Sequence, residues 1–153
     1  MNSIPHWTTY LTALMTPTVA ILGLLIGWRQ WRLAQNKLKL ELFEKRFAVY
    51  EATLRFIATI LSSGKAEDYE VFQFRSAIRE AKWLFEPSVA EYLEKQLCHK
   101  AIDLLTLRSE LDGVPVGEVR TKNVHAQAEI KKWFLAQTGE LDAKFSPYLR
   151  LSH

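Results

Sequence analysis

Residues 10–28 carry no charged side chain, and the run passes directly into an amphipathic stretch that reaches residue 61 with no glycine or proline after Gly27. A chain of this kind has few ways to fold. The apolar half needs a lipid or protein interior around it, and the second half must be a long helix sharing its axis. At about 1.5 Å per residue, 10–28 just crosses a hydrocarbon core of about 30 Å. Thr12, Thr16, Pro17, Thr18, Gly23 and Gly27 dilute the run. Hydroxyls can bond back within a helix, however, and proline is tolerated in membrane spans. The sequence therefore predicts a short extracytoplasmic tail over 1–9, a transmembrane helix over 10–28 and a cytoplasmic helical domain over 29–153.

The flanks of the run set the predicted orientation. Trp7 and Tyr10 precede it and Trp28 and Trp31 follow it, where amphipathic rings favour the headgroup layer. Arg29, Arg32, Lys37 and Lys39 then come before the first acid, Glu41. A one-sided cationic flank stays cytoplasmic, so the expected topology is single-pass, N-out and C-in. The expected partner of these eight interface residues is a bilayer with anionic headgroups, each cation contributing about 1 kcal/mol. No basic region precedes the run, as a cleavable signal would require, so it reads as an anchor. Ala20, Gly23 and Gly27 place small residues on one face, where a second helix could pack closely.

Composition bounds what lies beyond the span. With 153 residues in all, there is room for one domain with a real core. A net charge of +3 could suggest nucleic acid. Four of the cations, however, sit beside the predicted membrane, and no nucleic-acid-binding motif is present, so no nucleic-acid partner is expected. The single cysteine, Cys98, fits a reducing compartment and reads as a small buried side chain. Neither His99 nor His125 has ligand-spaced partners, so no metal or cofactor is expected. No nucleophile elbow or phosphate loop is present either, and the chain is not expected to be an enzyme.

The remaining pattern is helical throughout. Leu33, Leu40, Phe43, Phe47, Tyr50, Leu54, Ile57 and Leu61 fall in alternating steps of a heptad seam, with Asn36 at its one polar position. Leu33, Asn36, Leu40, Phe43 and Phe47 are the candidate oligomer seam. A second row, Leu38, Leu42, Val49, Phe56 and Ile60, widens the apolar side. Glu41 with Lys45 and Glu51 with Arg55 are spaced for ion pairs.

Ser62, Ser63 and Gly64 predict a stop, followed by a helix over 67–85 carrying Val71, Phe74, Ile78, Ala81 and Phe85, broadened by Phe72 and Trp83. Ser88 and Glu91 have capping-box spacing at the start of a third helix with Leu93, Leu97, Ala101 and Leu104. Asp112 and Gly113 end it. A last helix over 118–145 presents Val124, Ile130, Trp133, Phe134, Leu141 and Phe145, and the tail from Tyr148 is apolar enough to dock. Short connections predict an all-α, up-down bundle of about four helices, the first continuous with the membrane helix. The second helix is too short to cover Leu33, Leu38 and Leu40, which leaves the C-terminal Tyr148–Leu151 tail, the bilayer surface or the same stalk of another copy to cover them, the last being the preferred reading.

The stretch Lys37-Leu-Lys-Leu-Glu-Leu-Phe-Glu-Lys-Arg-Phe-Ala-Val-Tyr-Glu-Ala52, together with Phe145-Ser-Pro-Tyr-Leu149, resembles a group of uncharacterised small bacterial proteins with one N-terminal span and a helical cytoplasmic part. The resemblance implies the bacterial inner membrane and brings no activity or site residues with it. The expected function is that of a membrane-anchored interaction or scaffold protein that associates with itself or another protein. The alternative is a membrane-active effector of defence or toxin type.

Overall fold

The computed structural model describes residues 7–150, and the side chains of Met15 and of 19–150 within them. It contains α1 (Trp7–Ser63), α2 (Asp68–Ala77), α3 (Ala81–Leu84), α4 (Pro87–Glu91), α5 (His99–Glu110) and α6 (Glu118–Phe145). One 3-10 turn, Ile78–Glu80, joins α2 to α3, and a π-helical segment, Tyr92–Cys98, joins α4 to α5. The result is four helical stretches and, among the described residues, no strand. The chain divides into two units, Met1–Glu41 and Leu42–His153. Among the described residues no helix is long and apolar enough to cross a membrane. Side chains of the predicted span are described only at Met15 and 19–28, and 19–28 amounts to about 15 Å of helix, half of a hydrocarbon core.

The second unit is an up-down bundle, and its register follows from side-chain pairs. Arg46 Nε donates to the Leu84 carbonyl at 3.0 Å, while Phe56 stacks on Phe74 at 4.1 Å, so α1 and 68–84 run antiparallel. Tyr50 meets Phe145 at 5.6 Å and Phe56 meets Phe134 edge-on at 6.4 Å, which makes α1 antiparallel to α6 as well. Tyr92 with Gln137 and Leu107 with Asn123 align 87–110 against α6 in the same way.

The turns form where the sequence predicts them. Gly64 takes φ 69°, a left-handed value that a side chain resists, and its N–H caps α1 on the Ile60 carbonyl at 2.9 Å. Gly113 takes a left-handed φ of 73° after α5. The Ser88–Glu91 capping box does not form. Glu86 is the N-cap, Pro87 supplies the first helical position, and Glu91 pairs with Lys95 at 2.8 Å. The capping role falls instead to the next helix start upstream, where the Glu67 N–H donates to Glu70 Oε2 at 3.2 Å.

The core is centred on the second predicted row of α1. Val49, Phe56 and Ile60 are buried together with Ile57, and Thr53 sits among them fully buried, its hydroxyl donating to the Val49 carbonyl at 2.7 Å. The residues of the heptad seam divide. Ile57 turns inward and Tyr50 and Leu61 pack at the core's edge, while Phe47 and Leu54 stay exposed. Phe72 and Trp83 do not broaden the buried side of their helix but stand 70% and 80% exposed, and Val124 is 48% exposed. Phe72 and Trp83 each have a buried helical neighbour, Val71 or Phe74 and Ala81 or Phe85, that already fills the inward direction.

The π-helical segment has a packing reason. In its wider turn, residues five apart lie on one face, so Tyr92 stacks above Leu97 and Leu93 above Cys98. All four are buried, where an ordinary helix would swing two of them outward.

Candidate functional site

The predicted interaction residues all lie on α1. In the first unit, Ala20, Gly23 and Gly27 are exposed, and a Cβ placed on either glycine would meet no atom within 4 Å. Trp28 and Trp31 are exposed as well, with the Arg32 guanidinium over the Trp28 ring at 5.7 Å. Arg29 and Lys39 are exposed, and Lys37 reaches Glu41 at 3.8 Å. Leu33 and Leu40 are 71% and 49% exposed, and Asn36 between them is exposed too. The backbone of Trp7 and Tyr10 is helical, while their predicted interface role lies outside the described side chains.

In the second unit the row continues as Phe43, half-buried, and Phe47, 43% exposed. Their rings stack at 5.9 Å, and Phe47 meets Tyr50 at the same distance. Tyr50 then leans on buried Phe145 and donates its hydroxyl to Asp142 at 2.7 Å, a bond that raises the pKa of the phenol. An aromatic ladder thus ties the outward seam to the core.

The charged side of α1 is partly rewired. Glu51 and Arg55 pair as predicted at 3.1 Å, but Lys45 takes Glu80 at 3.8 Å rather than Glu41. Glu80 lies in the 3-10 turn, and reaching it links α1 to the 68–84 hairpin arm, whereas Glu41 turns to Lys37.

The C-terminal tail is engaged in the bundle. Tyr148 packs edge-on to Phe85 at 5.2 Å and under the Arg46 guanidinium at 5.5 Å, with Leu149 beside the core. This end of the bundle is a closed cluster of Arg46, Phe85, Phe145 and Tyr148. The opposite end carries an open cleft between the 64–68 and 111–120 segments, lined by both acids and arginines.

Two buried polar groups are fully partnered. The Tyr92 hydroxyl donates to Gln137 Oε1 at 3.0 Å, and Gln137 Nε2 donates to the Trp133 carbonyl at 3.3 Å. Burial, with Glu140 nearby, pushes the Tyr92 phenol up to about 12. Burial likewise pushes the Cys98 thiol up to about 11, against a smaller opposing pull from Arg75. A thiol so raised is a packing group at neutral pH. Among the described residues no three His, Cys, Asp or Glu side chains converge as a metal site would need.

The fold and these surfaces define an all-α protein of four helical stretches with an unburied apolar row on its longest helix. Compared with protein-family models, curated proteins and solved structures, the chain finds no match.

Proposed function

We propose that this protein is a membrane-tethered helical interaction module that self-associates through α1 and is held at the bacterial inner membrane, N-out and C-in. One observation carries the reading. Leu33, Leu40, Phe47 and Leu54 recur at seven-residue intervals and are all exposed, at 71%, 49%, 43% and 38%. A row at that interval is one of the two positions per heptad that a coiled-coil helix presents to another, and Asn36 stands in the second as a register-setting polar step. The uncharged run over 10–28, its aromatic flanks and the four following cations support the anchor, and the exposed Ala20, Gly23 and Gly27 offer a close-packing face inside it.

The test is the mass of the detergent-solubilised full-length protein, by light scattering with the detergent contribution subtracted. A dimer or larger is expected for the natural chain, and a monomer for the doubly substituted Leu40→Glu/Phe47→Glu chain. A monomeric natural chain removes self-association and leaves the exposed row to a different protein. For the anchor, replacing Arg29, Arg32, Lys37 and Lys39 together by Gln should weaken or invert the orientation read by labelling of an N-terminal tag. Unchanged orientation would remove the charge basis of the topology.

A further inference from the structure

The 68–84 and 87–110 stretches enclose a groove of about 410 Å³, within the size range of small-ligand sites. Its floor exists because two facing residues are alanines: Ala81, buried, and Ala90, half-buried. Ile78 closes the back, and Phe72 stands at the rim with its ring 70% exposed. Arg75, Arg79 and Lys82 all line this space, together with the Ser76 hydroxyl. Their spacing of four and three residues puts the three cations on one helix face. Glu94, from the π-helical segment opposite, is the single acid in the lining.

Some cations elsewhere pair with an acid three or four residues away, as in Glu91 with Lys95, Glu118 with Lys122 and Glu129 with Lys132, while others, such as Arg108, Lys131 and Lys144, form no ion pair among the described residues. Arg75, Arg79 and Lys82 form no ion pair among the described residues. Like charges at this spacing destabilise a helix by a few tenths of a kcal/mol per pair. The face keeps that repulsion while its one nearby acid leaves an excess of positive charge. Two guanidiniums are suited to bidentate bonds with phosphate oxygens, and a lysine adds a point charge.

We propose that this groove is a phosphate-binding site, in which Arg75, Arg79 and Lys82 hold a phosphate group and the Ile78 and Phe72 side chains receive an apolar portion of the same ligand. The phosphate can come from a free phosphorylated metabolite or from a lipid headgroup, and the two sources differ in whether the apolar portion is needed. The inference is independent of self-association and of the membrane anchor.

The test is calorimetric titration of the full-length protein in a neutral detergent at low salt, with inorganic pyrophosphate in one arm and short-chain phosphatidic acid in the other. Saturable one-site binding is expected in at least one arm. Pyrophosphate alone sufficing points to a free phosphate. Binding only of the phosphatidic acid points to a lipid. Arg75→Gln with Arg79→Gln should weaken that binding about tenfold or more, the expected loss of charge-assisted bonds. Glu94→Gln should tighten it, which a damaged fold would not do. The control pair Lys122→Gln with Lys132→Gln, outside the groove, should leave it unchanged. Absence of binding in both arms, or equal weakening by the control pair, overturns the proposal.

Discussion

The Tyr92–Gln137 pair shows how narrowly individual side chains are determined inside this bundle. Tyr92 is 1% exposed and its hydroxyl has one protein partner, the Gln137 side chain. Gln137→Leu keeps the volume but strands that hydroxyl, and denaturant unfolding should show a loss of about 1–3 kcal/mol. A second change, Tyr92→Phe, removes the orphaned group and should recover part of the loss. Titration gives an independent check on the same residue. The buried Tyr92 phenol and Cys98 thiol hold their protons more tightly in the folded chain. The folded state therefore binds more protons than the unfolded one between the ordinary and raised pKa values, and stability falls as pH rises. The windows are pH 9.0 to about 11 for Cys98 and pH 10.0 to about 12 for Tyr92. Each group steepens the fall by at most about 1.4 kcal/mol per pH unit. Unfolding curves should show stability flat up to about pH 9 with respect to these groups, and Cys98→Ala should abolish the earlier of the two declines.

At the scale of the element, α1 and the Tyr92–Cys98 segment resolve the same problem differently. The part of α1 within the second unit has more apolar residues than one face can bury, so it turns Val49, Thr53, Phe56, Ile57 and Ile60 inward and leaves Phe47 and Leu54 outside. The π-helical segment instead widens its turn to bring Tyr92, Leu93, Leu97 and Cys98 all inward. The two faces of α1 should respond unequally to truncation. Ile57→Ala, at a fully buried position, is expected to cost about 2–5 kcal/mol of unfolding free energy. Leu54→Ala, 38% exposed, should cost well under 1 kcal/mol in a monomer. A large cost at Leu54 that depends on protein concentration would be the signature of a buried oligomer seam.

For the molecule as a whole, the number and order of helices, their antiparallel sense and most of their ends were legible in the residue pattern. Glycine at a left-handed stop and three-four apolar spacing are local signals, set by backbone sterics and by what one helix face can bury. Gly64, Gly113 and the row Val71, Phe74, Ile78, Ala81 and Phe85 carry them. Which of two overlapping rows on α1 faces inward was not legible, nor was the outward turn of Phe72 and Trp83, because a row's direction depends on which neighbours arrive to cover it. The partner of Lys45 and the convergence of Arg75, Arg79 and Lys82 with Ala81 and Ala90 around one groove were decided in the same way. Charge spacing along one helix specifies which side chains share a face, and only the packing of a second helix against it determines whether that face meets solvent, an acid or an open concavity.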